Sequence, residues 1–109
     1  MRVLGIDPGT ATTGWAVLDQ LQGGQRALLV ACDTVRTPAH TPLATRLHTL
    51  FTQVSQIIAF HQPEVVVVEE LFFSKNRTTA IAVSHARGVL LLAAAAANVP
   101  VAEYTPMEV

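Results

Sequence analysis

Four consecutive valines followed by two glutamates most strongly constrain how this 109-residue chain folds. The segment EVVVVEE at residues 64–70 is β-branched and shows no polar alternation, which is typical of a central strand covered on both faces. A second apolar run, RVLGID at residues 2–7, also ends in a carboxylate. Because these two runs are the most uniformly apolar strand candidates, we expect them to be neighbours in one sheet.

The first third of the chain predicts an antiparallel meander. The segments GWAVLD (14–19) and RALLVACDTVR (26–36) are the next two strand candidates. Between them, LQGGQ (21–25) supplies glycines for a tight reversal. Three strands joined by such short loops most simply pair antiparallel.

The remainder alternates helix and strand. Thr41 is the predicted N-cap of a first helix with proline in its first turn, and Pro63 ends that helix. Its apolar face consists of leucines, isoleucines and a valine at helical spacing, at positions 43, 47, 50, 54, 57 and 58. A second helix is predicted over about residues 76–98, and VPVAEY (99–104) is a fifth strand. The predicted class is α/β, a five-stranded mixed sheet with three antiparallel strands, then parallel strands, flanked by helices.

Composition limits the kinds of function. Half of the residues are hydrophobic, 14% are charged and the net charge is −1, which indicates one globular domain that would need a local basic cluster to bind nucleic acid. The single cysteine, Cys32, is expected to be a buried reduced thiol. No signal peptide or membrane-spanning run is recognised, so we expect a cytoplasmic protein with no membrane partner.

Acidic residues end both central strands. If these strands are parallel, Asp7 lies at the same sheet edge as either Glu69 or Glu70, and alternation allows only one of the two glutamates to face the side of Asp7. Two carboxylates about 4 Å apart repel by about 4 kcal/mol at an effective dielectric near 20. A Mg²⁺ or Mn²⁺ ion would relieve this repulsion. The alternative is that each acid is a solvated strand end.

The segment after the glutamates combines aromatic and basic residues, namely Phe72, Phe73, Lys75 and Arg77. Aromatic rings stack on unpaired bases, and cations bind phosphates. A hydrophobic staple with a solvated basic turn is the alternative.

The second helix is apolar nearly all round, with small residues at Ala80, Ser84 and Gly88. This stripe predicts contact with a second protomer, and a core helix packed on the sheet is the alternative.

The chain contains the motifs GIDPGTATTGWAV and VVVVEELFFSKN, followed later by ARGV. Together these motifs resemble the RuvC family of Holliday-junction resolvases, and the resemblance extends over the whole chain. It implies an RNase H-like fold, a homodimer, a divalent metal such as Mg²⁺ and paired nicking of four-way junction DNA in recombination and repair. It also implies partnership with the branch-migration motor RuvA/RuvB.

Carried over residue by residue, the resemblance assigns catalysis and metal binding to Asp7 and Glu69, and thereby selects Glu69 over Glu70. Phe72 and Phe73 would contact DNA, together with Lys75, Asn76 and Arg77. The dimer-forming helix would use the residues at its small stripe, namely Ala80, Ser84, Arg87 and Gly88.

The family completes its metal site with further residues on a carboxy-terminal helix that has no counterpart before Val109. We therefore expect residues 1–109 to be a single RNase H-like nuclease domain truncated at its carboxy terminus. The alternatives are a catalytically inactive dimerisation or DNA-binding fragment and a YqgF-type RNase H-like nuclease.

Overall fold

The described part of the chain forms seven elements, in the order predicted from the sequence. The computed structural model describes residues 1–9, 11–21, 26–38, 40–69 and 77–104, without the side chains of residues 77–79 and 103–104. The elements are β1 (Arg2–Asp7), β2 (Thr12–Gln20), β3 (Ala27–Arg36), α1 (Leu43–His61), β4 (Val65–Glu69), α2 (Arg77–Ala96) and β5 (Val101–Tyr104).

The five strands form one mixed sheet in the order β3-β2-β1-β4-β5. β1 pairs antiparallel with β2 and parallel with β4. β2 pairs antiparallel with β3, and β4 pairs parallel with β5. The predicted arrangement of antiparallel and then parallel strands, with β1 and β4 as neighbours, is confirmed.

Both described helices cover the same face of the sheet. The crossovers from β3 to β4 and from β4 to β5 step in one direction across the sheet, so right-handed connections place α1 and α2 side by side. We call the face of the sheet that the helices cover the helix face. The core lies between this face and the helices and contains alternate strand residues and one side of each helix, including Leu4, Ile6, Val17, Val66, Val68, Leu50, Val54, Ile58 and Leu90. Neither described helix combines the length and hydropathy needed to cross a bilayer.

The expectation that β4 is covered on both faces is not met within the described residues. Val66 and Val68 are buried, whereas Val65 and Val67 are half-buried on the second face, which neither helix covers. The strand therefore alternates in burial although its sequence does not alternate, because valine is tolerated in either environment.

Two local predictions are wrong. The N-cap of α1 is Pro42, not Thr41, and no side-chain cap hydrogen bond forms, because Pro42 has the extended backbone of the cap while its carbonyl accepts the first helical bond from Arg46. Cys32 is exposed, not buried. It lies on the edge strand β3 opposite Ala16, on the face that the helices leave uncovered.

Arg2 ties the start of β1 to two other elements. Its guanidinium donates two hydrogen bonds to the Asp19 carboxylate, at 2.8 and 2.9 Å, and a third to the carbonyl of His61 at 3.0 Å. That carbonyl belongs to the last turn of α1, where carbonyls have no partner within the helix. One side chain thus holds β1, β2 and the end of α1 together at the sheet edge opposite Asp7.

Candidate active site

Asp7 and Glu69 lie next to each other at the carboxyl edge of the two central parallel strands. The register of the parallel pair places Ile6 opposite Val68, and one further step places Asp7 beside Glu69. Ile6 and Val68 are buried under the helices, so the alternation of side chains places both acids on the second face. The sequence predicted this edge, and the register brings Glu69 to Asp7.

The two carboxyl groups interact directly. Burial, the negative charge of Asp7 and a hydrogen bond with Asp7 all raise the pKa of the Glu69 carboxyl, in that order of importance. A raised pKa means that the second negative charge is unfavourable here, and the pair therefore retains a proton more readily than two separate acids would. A divalent cation bound between the carboxylates would relieve the same repulsion.

The chain after Asp7 makes a tightly packed turn. Pro8 is buried, and a Cβ atom added to Gly9 would overlap the carbonyl oxygen of Thr12. The amide of Thr37 donates to the carbonyl of Ala11 at 2.8 Å, which attaches the turn to the end of β3. Gly9 is therefore required by close backbone approach, and the turn fixes the direction in which the chain leaves Asp7.

Gly14 leaves space on the other side of Asp7. It pairs with Asp7 across β1 and β2, and a Cβ atom at Gly14 would contact nothing within 4 Å. Glycine within a strand often marks a place where another group approaches the backbone. The sequence predicts that Gly9 and Gly14 bracket the turn after Asp7, and the strand pairing shows that Gly14 lies directly opposite Asp7.

The donor set of the pair fits a hard divalent cation. Carboxylate oxygens are the protein ligands that Mg²⁺ and Mn²⁺ prefer, and Mg²⁺ sites commonly use one or two carboxylates with water and phosphate. Within the described parts of the chain, no group of three or more His, Cys, Asp or Glu side chains is placed to hold a metal. Asp7 and Glu69 therefore form a pair of neighbouring carboxylates, and a metal site built on them would need further ligands from water, phosphate or other residues.

The predicted DNA-contacting residues mostly lie outside the described residues. This applies to Phe72, Phe73, Lys75 and Asn76, and to the other glutamate, Glu70. Arg77 is the first residue of α2, and its side chain is not described. The segment 70–76 nevertheless begins immediately after Glu69, so its amino-terminal end is attached to the carboxylate edge.

The predicted dimer residues divide between two environments on α2. Ser84 and Gly88 are exposed, whereas Ala80 and Arg87 are half-buried. The Ser84 hydroxyl donates to the Ala80 carbonyl at 2.9 Å, a bond within the helix. The buried side of α2 is formed by Ala86, Leu90, Ala93 and Ala94.

Comparison with known proteins identifies the family. The family model described as crossover junction endodeoxyribonuclease RuvC matches residues 3–109. The chain belongs to the RuvC family. The curated RuvC relative from Moorella thermoacetica is 51% identical over all 109 residues, and that from Heliobacterium modesticaldum is 53% identical. The chain spans 64% and 66% of their respective lengths.

A solved RuvC structure has the same fold. Thermus thermophilus RuvC in complex with a Holliday junction substrate matches with a TM-score of 0.88 at 36% identity, over 98% of this chain and 66% of that chain. The predicted RNase H-like class is confirmed by this match together with the sheet topology. The resemblance read from the two motifs is confirmed by the family match.

Proposed function

We propose that this RuvC-family chain is the nuclease domain of a structure-specific endonuclease that resolves four-way DNA junctions by paired phosphodiester hydrolysis during recombination and repair. The observation that carries the proposal is the placement of Asp7 and Glu69 side by side at the ends of β1 and β4, where the charge of Asp7 helps to raise the pKa of Glu69. The name of the Moorella relative and the Holliday-junction complex of the Thermus thermophilus protein support the choice of substrate. Such an enzyme would act in the cytoplasm, where the branch-migration motor RuvA/RuvB is the expected partner.

Asp7 and Glu69 would hold Mg²⁺, or alternatively Mn²⁺, through their carboxylate oxygens. The ion would supply activation of a water molecule and stabilisation of the charge that develops on the phosphate. Binding requires both acids to be ionised, so the raised pKa of Glu69 should weaken metal binding as the pH falls. The rigid neighbouring strands keep the two oxygens in register, and the open space over Gly14 leaves room for the substrate next to Asp7.

The segment after Glu69 would position the DNA strand. Phe72 and Phe73 are suited to stacking on bases that are unpaired at a junction centre. Lys75, Asn76 and Arg77 are suited to phosphate oxygens. Their position in the sequence, only a few residues after Glu69, supports this role.

We also propose that α2 forms the homodimer interface through Ala80, Ser84, Arg87 and Gly88. The exposed side of the helix supports this, because Ile81 is 53% and Leu92 is 59% exposed there. Gly88 would allow a second helix to approach closely, and the exposed apolar side chains on either side of it would be buried in the interface. Replacing Gly88 with tryptophan should convert a dimer to a monomer in sedimentation velocity, whereas a Leu28→Trp control on β3 should not.

The direct test is nicking of an end-labelled synthetic four-way junction in Mg²⁺ or Mn²⁺. The chain would be compared with a chimera in which residues 1–109 are followed by the remaining carboxy-terminal part of the Moorella relative. We expect paired nicks, and a loss of about 100-fold or more in Asp7→Asn and in Glu69→Gln. The exposed Glu64→Gln variant, which removes one negative charge at the other end of β4, should cut normally.

Calorimetric titration with Mg²⁺ separates the nuclease from an inactive binding module. Metal binding that depends on both Asp7 and Glu69 is expected for the nuclease. The contradicting outcome is measured under conditions in which the Moorella relative cuts. If the chimera then binds junction DNA but neither binds the metal nor cuts, this result would contradict the proposal and favour the inactive module.

A further inference from the structure

A cleft of about 410 Å³ lies on the helix face, between the carboxy-terminal half of α1 and strands β2 and β3. We call it the aromatic cleft, and its relevant lining residues are Trp15, Asp33, Gln53, Gln56, Phe60 and His61. It is separate from the candidate active site, because Asp7 and Glu69 lie on the second face of the sheet. Its volume is within the range that binding sites for small groups usually have.

Three aromatic rings line the cleft, with His61 in the middle in contact with the other two. The Trp15 and His61 rings are tilted with their centroids 5.8 Å apart, and Phe60 meets His61 edge to face at 4.8 Å. Phe60 is nevertheless 82% exposed, so these contacts leave most of its ring in water. An aromatic ring held in place but exposed beside a cleft is available to a binding partner.

The polar groups of the cleft have unused bonding capacity. Among the described residues, the Asp33 carboxylate accepts one hydrogen bond, from the amide of Thr34 at 2.7 Å. A carboxylate accepts several, so acceptor sites remain on its oxygens. The amide groups of Gln53 and Gln56 are on exposed residues of the α1 wall, where they add two carbonyl acceptors.

The charge of the cleft disfavours phosphate and favours a cation. Asp33 is the one lining residue, within the described chain, that carries a formal charge at neutral pH with histidine neutral. Arg36 pairs with Thr12 and so belongs to the second face of the sheet. Arg2, which reaches the His61 carbonyl, is already neutralised by its two bonds to Asp19.

We propose that the aromatic cleft binds an arginine side chain presented by a protein partner. A guanidinium is planar, stacks on aromatic faces and donates up to five hydrogen bonds in one plane. The cleft offers the matching groups, which are the exposed ring of Phe60 beside two half-buried rings, one carboxylate and two amide carbonyls. A lysine would satisfy the charge but neither the stacking nor the planar donor pattern, so arginine should bind more tightly.

Trp15 provides the readout, since it is the only tryptophan in the chain. The probe is the peptide acetyl-Gly-Arg-Gly-amide, and its control is the same peptide with citrulline, which has arginine's shape without the charge. Trp15 fluorescence and its indole N–H resonance would be followed during titration. We expect a saturable change with the arginine peptide and an affinity at least about threefold lower for the citrulline or lysine peptide. This modest difference is expected because an exposed ion pair contributes little binding free energy.

Surface variants test the named contacts. Asp33→Asn keeps an oxygen for the Thr34 amide but removes the charge, and it should weaken binding about threefold. Gln53→Glu should strengthen it, and Glu64→Gln, which lowers the net negative charge equally but lies outside the cleft, should leave it unchanged.

Equal responses to arginine and citrulline, or an unaffected Asp33→Asn, would overturn the proposal. A Trp15 change produced by protein concentration alone would assign the cleft to a second copy, and one produced only by a dinucleotide would assign it to nucleic acid; either result overturns it as well.

Discussion

Replacing Asp7 with asparagine should make the folded chain more stable at neutral and alkaline pH when no divalent metal is present. The reason is the raised pKa of Glu69, which records that its ionised form is disfavoured beside Asp7 in the folded state. A group whose pKa rises on folding contributes its full stability below its unfolded pKa and loses it as the pH rises through the folded pKa. The wild-type pair therefore costs stability above the pKa of Glu69, and Asp7→Asn removes the part of this cost that comes from charge.

The size of the gain follows from the environment of the two acids. Two unit charges about 4 Å apart repel by about 1 kcal/mol in water and by about 4 kcal/mol at an effective dielectric of 20. Asp7 is exposed and Glu69 is half-buried, so the value should lie towards the aqueous limit, at about 1–2 kcal/mol. For a domain of this size, each 1 kcal/mol corresponds to about 4–8 °C in Tm.

The assay is thermal unfolding with a chelator present, at pH 8 and at about pH 3.5. We expect Asp7→Asn to raise Tm at pH 8 and to lose this advantage at the lower pH, where Glu69 is protonated in wild type. Added Mg²⁺ should reverse the order at pH 8, because wild type alone keeps both ligands. Glu64→Gln serves as the charge-matched control and should change little. An Asp7→Asn protein that is no more stable than wild type at pH 8 in chelator would refute the electrostatic argument.

Two further predictions concern the scaffold. Gly9→Ala should lower junction nicking by the chimera and thermal stability together, because the new Cβ overlaps the Thr12 carbonyl, whereas Gly14→Ala meets no atom and should retain the stability of wild type; equal Tm losses in both variants would contradict this. Leu90→Ala should reduce the free energy of unfolding by about 2–5 kcal/mol in urea denaturation, since Leu90 is fully buried, while Leu28→Ala on the exposed part of β3 should stay within about 0.5 kcal/mol.

The sequence was sufficient to predict the features of the fold that are encoded by runs of several residues. Strand and helix order followed from the apolar runs, and the pairing of β1 with β4 followed from their shared lack of polar residues. The resemblance selected Glu69, and the register independently brings that residue to Asp7. These features depend on patterns of many residues, so one atypical residue does not change the prediction.

Features set by one or two atoms were not predictable. Thr41 is a better capping residue than proline in general, but the backbone places Pro42 at the cap. Cys32 lies in an apolar run, yet its exposure depends on β3 being the sheet edge. The aromatic cleft combines Trp15 with residues about 40 positions later in α1, and no local pattern connects them.

The register of β4 also shows what the valine run alone leaves undetermined. A slip by one residue normally moves apolar side chains to the wrong face, but four identical valines make such a slip nearly neutral for the hydrophobic pattern. The register is instead fixed at the start of the strand, where the Glu64 amide donates to the Arg2 carbonyl at 2.8 Å. The guanidinium of Arg2 holds both Asp19 and the end of α1. Contacts at the end of β1 and β4 opposite the carboxylates therefore contribute to the alignment of Glu69 with Asp7, and several of them come from Arg2, a residue with no proposed role in the chemistry.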